Sequence, residues 1–193
     1  MRILVHESKD KETRNILDIP KQHLLHLLKI DNGYHEVIPM EDPAKELRVY
    51  FDIEEYHNGI FVDILEEALN VFNKIFNTNN DDWAISDGSR FLEKDFKTSY
   101  HILSKKYKMT LADLRRLSMQ LNKSYIDTTA YWFSMFYGKD EGSLRLPNQS
   151  KKGINKEGTP MSIMQGSIAD FFVTDTTGLE PFPLTPRPLL GDL

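Results

Sequence analysis

The chain contains no cysteine among its 193 residues. That excludes disulfides, cysteine-ligated zinc ribbons and iron–sulfur centres within it, and it fits a reducing compartment. Basic charge is also short: 24 Lys and Arg stand against 29 Asp and Glu, a formal net charge of −5. Affinity for duplex DNA comes largely from Lys and Arg neutralising phosphates, so this balance argues against a strong non-specific duplex binder. No segment approaches the length of a membrane span, and no membrane partner is expected. The opening run Met1-Arg2-Ile3-Leu4-Val5-His6-Glu7 breaks its short apolar stretch with charge and does not read as a signal peptide. What is present is ordinary for a globular protein. Hydrophobic residues make up 40% and charged residues 27%, enough for one substantial core, or a core plus a small lobe.

The most informative local text is Leu47-Arg48-Val49-Tyr50-Phe51-Asp52-Ile53-Glu54. Leu47, Val49, Phe51 and Ile53 alternate with Arg48, Tyr50, Asp52 and Glu54, the period-2 signature of a strand with one buried face. Residues two apart point the same way, about 7 Å apart along the strand. Asp52 and Glu54 therefore project together. Like charges this close raise each other's pKa unless a cation lies between them, and an oxygen-bound divalent metal is a natural resolution. The plainer reading is that a half-exposed strand simply needs a polar outer face.

Around this strand the chain alternates helical and extended patterns, which places it in the α/β or α+β class. Leu24, Leu27 and Leu28 behind Pro20 predict a helix at about 20–30, on which His23 and His26 read as surface histidines rather than a metal pair. Phe61, Ile64, Leu65, Ala68, Leu69, Phe72, Ile75 and Phe76 predict an amphipathic helix over about 60–77. Trp83–Ser86 and Lys97–Ser104 read as strands, with Asp87-Gly88-Ser89 as a turn. Thr110 and Asp113 form a capping-box pattern ahead of a helix marked by Leu111, Leu114, Leu117 and Leu121. Residues 125–137 are aromatic and mostly core. Gly138–Gly142 reads as a loop, Ser143–Leu146 as a short strand, Ser150–Gly158 as a polar loop and Ile168–Thr174 as a late strand. The basic residues Lys94, Lys97, Lys105, Lys106, Lys108, Arg115, Arg116, Lys151 and Lys152, taken singly, read as solvated faces. The expected division is a main domain over 1–178, with an N-terminal αβ part at 1–45 and a catalytic core at 46–178. A Pro-rich tail or linker at 179–193 follows, as at the end of a fragment or the first domain of a longer polypeptide.

Two further motifs accompany the acidic strand. Ser99 and His101 share one face of their strand, with Tyr100 and Ile102 opposite, so a hydroxyl and an imidazole can reach adjacent phosphate oxygens. Asp127 is a third acid, and Arg145 and Lys151 in Arg145-Leu146-Pro147-Asn148-Gln149-Ser150-Lys151 supply a guanidinium fork and a mobile ammonium. Each alone is an ordinary residue of its kind.

In this order the three motifs resemble the archaeo-eukaryotic primase superfamily. The text is most similar to the viral PrimPol-like branch, which includes the N-terminal primase domains of poxvirus-like primase-helicases. Lys97-Thr98-Ser99-Tyr100-His101-Ile102 resembles that branch's Lys-x-Ser-aromatic-His-aliphatic run. Ile126-Asp127-Thr128-Thr129-Ala130-Tyr131 resembles its Asp-x3-Tyr run, and Leu144-Arg145-Leu146-Pro147 with Ser150-Lys151 its closing strand. The likeness covers about residues 46–175. It implies an RRM-like catalytic sheet flanked by helices, with an N-terminal αβ unit. It implies Asp52, Glu54 and Asp127 as catalytic ligands of Mg²⁺ or Mn²⁺, and Ser99, His101, Arg145 and Lys151 on the nucleotide. The implied activity is that of a DNA primase or primase-polymerase, a nucleotidyltransferase making short strands from NTPs or dNTPs on a single-stranded DNA template. A fused or separate helicase is the implied partner, and the implied location is intracellular, in the cytoplasm or at a viral replication site. Two features depart from the pattern: a longer Asp127–Arg145 spacing, and Gly142 where a second Arg often stands. Alternatives are an inactive relative that binds nucleotide or single-stranded DNA as a docking module, and a metal-dependent nuclease.

Overall fold

The structure is a computed structural model describing residues 1–6, 14–30, 33–57, 64–91, 95–124, 141–150 and 160–182. The fold is mixed α+β, built on two mainly antiparallel sheets and three helices among the described residues. The first sheet contains β1 (Arg2–His6), β2 (Arg14–Asp18), β3 (His35–Pro39) and β8 (Glu141–Arg145), in the order β2-β1-β3-β8. The second holds β4 (Glu46–His57), β5 (Trp83–Asp87), β6 (Arg90–Phe91), β7 (Phe96–Thr110), β9 (Ser162–Gln165) and β10 (Glu180–Pro181). Its centre is the 15-residue β7. β4 lines one edge of β7, and β5 pairs with the stretch Tyr100–Ser104. β6 continues at Phe96 and Lys97, β10 adds a short parallel pair at Tyr107 and Lys108, and β9 lies outside β5.

β4 and β5 both run antiparallel to β7, so they are parallel to each other with β7 between them. The connection from β4 to β5 carries helix α2 (Ile64–Phe76). This is a split βαβ unit. The sequence builds it simply. Ile64, Ala68, Leu69, Val71, Phe72 and Phe76 are the buried stripe of α2, with Glu66 and Glu67 in its first turn and Lys74 in its last, where the helix dipole favours them. Asn77, at φ 49°, ends the helix in the left-handed region. The stripe packs on the Phe51 side of the sheet. Phe51 and Phe72 stack at 4.1 Å between centroids, and Trp83 lies 5.4 Å from Phe72 and 5.5 Å from Phe76. The Trp83 indole donates to Asn73 Oδ1 at 2.9 Å, so its polar edge is satisfied within an apolar surround.

Helix α1 (Lys21–Leu27) exposes His23 and His26 and buries Leu24. With Leu28, Ile3, Leu146 and Phe172, Leu24 forms a smaller apolar cluster beneath the first sheet. Helix α3 (Leu111–Ser124) starts at the expected cap: the Asp113 N–H donates to Thr110 Oγ1 at 3.1 Å and the Thr110 hydroxyl to Asp113 Oδ2 at 2.9 Å.

The structure corrects several expectations. β4 is covered on both faces over its first half, not on one, while Asp52 and Glu54 farther along stay partly open. Tyr50 is 1% exposed, and Arg48 is 5% exposed with its guanidinium donating to the carbonyls of Phe172, Ser104 and Asp175. The chain from Phe172 to Asp175 crosses that side and consumes the polar groups. A register shift lies between Arg48, opposite Lys108, and Tyr50, opposite Leu103, with the extra residues on β7. Ile168–Thr174 is not a strand. Ile168–Phe171 forms a 3-10 turn because Asp170 accepts from the Ser167 N–H at 2.8 Å and the two side chains bond each other, so the local cap wins over the apolar run. The late strand is β9, upstream. Glu141 and Gly142, expected in a loop, lie in β8 paired with Pro39 and Ile38. No helix among the described residues is long and apolar enough to cross a membrane.

Candidate functional site

Register decides which side chains meet. Across β4 and β7, Asp52 lies opposite His101 and Glu54 opposite Ser99. Across β7 and β5, His101 lies opposite Ser86. Directly paired residues share a face, so Asp52, His101 and Ser86 form one row and Glu54 and Ser99 the next, on the side away from Phe51 and Ile53. The four residues singled out on two separate strands thus come together.

The two acids are each met by a basic group. His101 Nε2 lies 3.7 Å from Asp52 Oδ1, with side-chain exposures of 7% and 17%. Lys97 Nζ is ion-paired with Glu54 Oε1. Lys97 is 3% exposed, so the solvated surface lysine of the sequence reading is a buried partner of the acidic strand. The physical reason lies across the sheet. A lysine beside Glu54 gains a charge-assisted bond that offsets its desolvation, and that neighbour cannot be seen in the local text. The Lys97 ammonium offsets the charge of Glu54.

Backbone bonds fix Ser99. Its N–H donates to Ser89 Oγ at 3.0 Å and its carbonyl accepts from Gly88 N–H at 2.8 Å. The turn Asp87-Gly88-Ser89 is itself held by Ser89 N–H donating to Asp87 Oδ1 at 2.7 Å. Arg145 reaches this turn from the other sheet. β3 pairs with β8 so that His35 faces Arg145, and a Cβ built on Gly88 would lie 2.5 Å from Arg145 Nη2. The missing side chain at Gly88 is what lets the guanidinium lie against the turn that is tied to Ser99. Arg145 is 8% exposed and Ser99 2%. Five of the seven predicted site residues therefore converge: Asp52, Glu54, Ser99, His101 and Arg145. The other two, Asp127 and Lys151, lie outside the described residues.

The donor chemistry suits a hard divalent cation. Asp52 and Glu54 are paired carboxylates, partly open at 17% and 28% side-chain exposure. Mg²⁺ is commonly held by one or two carboxylates together with substrate phosphates and water, so this pair fits Mg²⁺ or Mn²⁺ bound along with a polyphosphate. Among the described residues there is no group of three or more His, Asp or Glu placed to hold a metal without such help.

Sequence reasoning missed Lys97 as a site neighbour, along with Gly88 and Ser86. Ser86 is fully buried beside His101, and its Oγ has no hydrogen-bond partner among the described residues. A hydroxyl kept dry in that way costs about 1–3 kcal/mol. The signal for Gly88 was its place in a turn between two strands that flank the motif. Ser86 gave none beyond its strand position. No protein-family model matches the chain, and no curated protein sequence matches it significantly.

Proposed function

We propose that this chain is a metal-dependent nucleotidyl-transfer domain of the primase-polymerase type, acting on a single-stranded DNA template with nucleoside triphosphates. The observation that carries this reading is the pairing of Asp52 with His101 and Glu54 with Ser99 on one sheet face. Acids for a metal and donors for a triphosphate lie within one residue spacing of each other. The split βαβ unit supports an RRM-like arrangement of the archaeo-eukaryotic primase kind, since its two motif strands, β4 and β7, are hydrogen-bonded neighbours in one sheet.

In this reading Asp52 and Glu54 would hold Mg²⁺ or Mn²⁺, with Asp127 as third acid. When bound, the metal would lower the barrier by neutralising charge on the attacking 3′-oxygen and on the phosphates. The chain's own residues do the positioning. The Ser99 hydroxyl donates to a phosphate oxygen, and its strand is clamped by Gly88 and Ser89. His101, held beside Asp52, donates from its ring to a neighbouring phosphate oxygen. Arg145 offers two N–H groups in a plane to the same polyphosphate, and Lys151 would add a further positive charge. The 3′-hydroxyl of the growing strand attacks the α-phosphorus, the bond to the bridging oxygen breaks, and pyrophosphate leaves. Lys97 pairs with Glu54 and holds it aligned.

The test is templated incorporation of labelled nucleotides by the purified chain with Mg²⁺ or Mn²⁺. Asp52→Asn and Glu54→Gln should each lower turnover by about 100-fold or more. Asp52→Asn should leave the melting temperature within a few degrees, whereas Glu54→Gln should lower it because buried Lys97 loses its ion-pair partner. Robust synthesis by both variants overturns the assignment. A second reading has a specific observation behind it: the ion pair between Lys97 and Glu54 resembles a carboxylate already satisfied by protein. A nucleotide- or template-binding module without catalysis would show tight single-strand binding and no incorporation with either metal.

A further inference from the structure

We propose that Arg90 is a second phosphate-binding guanidinium of this site, placed to grip the distal end of a polyphosphate together with Arg145. The inference rests on the nucleotidyl-transfer reading and deepens it.

β6 pairs with β7 so that Arg90 lies opposite Lys97. Paired residues share a face, and Lys97, Ser99 and His101 alternate on one face of β7, so Arg90 belongs to the face of the candidate site. Its side chain is half-exposed, and its Nη1 donates to Gly88 O at 3.4 Å, a long bond that is readily exchanged for a better acceptor. The same Gly88 carries Arg145 on its open Cα side, where a Cβ would lie 2.5 Å from Nη2. Two guanidiniums from distant parts of the chain thus flank one glycine, whose N–H is tied to Ser99 O at 2.8 Å.

The charges around them favour an anion. Within the Asp87-Gly88-Ser89 turn the one carboxylate is Asp87. It pairs with Tyr100, and so belongs to the opposite face, and its Oδ1 is taken by Ser89 N–H at 2.7 Å. Glu54 is neutralised by Lys97. Among the described residues, two cations, Arg90 and Arg145, are brought to Gly88. Two planar forks on either side of one glycine suit adjacent phosphates better than a single phosphate or carboxylate. The expected ligand class is a nucleoside triphosphate, recognised by polyphosphate length.

Calorimetric titration of the full chain with inorganic tripolyphosphate, ATP and AMP in the presence of Mg²⁺ tests this. Arg90→Gln should weaken tripolyphosphate and ATP by about tenfold or more, because a charge-assisted bond is lost, and change AMP by less than about threefold. Arg90→Lys, which keeps the charge and loses the fork, should fall between. A melting temperature close to wild type is expected, since Arg90 gives up one long bond. If Arg90→Gln melts early, the Arg90→Lys titration decides. Unchanged tripolyphosphate affinity in both Arg90 variants, with a loss in Arg145→Gln, overturns the role of Arg90 and leaves the nucleotide site standing. Wild-type protein that binds neither tripolyphosphate nor ATP overturns the nucleotide reading, and the role of Arg90 falls with it.

Discussion

Gly88 shows how a residue without a side chain shapes a binding site. Its Cα sits between the guanidinium of Arg145 and the backbone of Ser99. Gly88→Ala would place a methyl group 2.5 Å from Arg145 Nη2, well inside contact distance. The flexible guanidinium must swing away, because the turn backbone is pinned by its bond to Ser99. The expected outcome is a loss of triphosphate affinity of about tenfold, the worth of one charge-assisted contact, with the midpoint of urea unfolding nearly unchanged. A titration with ATP beside an unfolding curve separates the two effects, and a variant that binds ATP like wild type removes Arg145 from the site. Asp52, Glu54, Ser99 and His101 were legible in the sequence because strand alternation is local. The partners that complete them were not. Lys97 is a lysine in a polar stretch until β4 pairs with β7 and sets Glu54 beside it, and that pairing joins residues more than forty positions apart.

The same division separates the elements. Helix α2 could be read from its stripe alone, since the 3.6-residue period needs no knowledge of the partner. Its partner surface follows from the stacked ring of Phe51 and from Trp83. Phe72→Ala should therefore cost about 3–5 kcal/mol, the usual toll for an aromatic removed from a packed core. Chemical denaturation at neutral pH measures it, and a loss below about 1 kcal/mol would mean that α2 does not rest on this sheet. β1 to β3 and the ends of β7 were harder to read. β1 and β2 leave Ile16 and Leu17 exposed on an edge strand, so no clean alternation marks them. The second half of β7, Lys105–Thr110, is too charged to announce a strand; it is extended because the start of β4 and the short β10 hold it. The late strand was misplaced because Ile168-Ala169-Asp170-Phe171 looks apolar, whereas the Ser167–Asp170 cap closes it into a turn.

The two sheets are joined by a buried polar link, and pH should reveal it. Glu36 of β3 is fully buried and accepts from Val173 N–H at 2.7 Å, Thr174 N–H at 3.0 Å and the Thr174 hydroxyl at 2.5 Å. Arg48 of β4 receives the same segment from the other side, bonding Phe172 O at 3.2 Å and donating its own backbone N–H to Val173 O at 2.8 Å. The chain at 172–175 is thus stitched to one sheet by a carboxyl and to the other by a guanidinium. Burial pushes the Glu36 carboxyl above its ordinary value, outweighing the bonds from Thr174 and Val173 and the nearby Arg48 charge that pull it down. A carboxyl whose pKa is higher folded than unfolded stabilises the fold fully below the unfolded value, near 4.5, and loses that contribution as pH rises through the folded value. Glu36→Gln abolishes this titration and places an amide NH₂ against backbone donors, at a cost of about 1–3 kcal/mol. Urea unfolding of both proteins from pH 4 to pH 8 should show the variant less stable at the acid end and the gap narrowing as pH rises. A gap that widens instead would mean that the bonds from Val173 and Thr174 and the nearby Arg48 charge outweigh burial at Glu36.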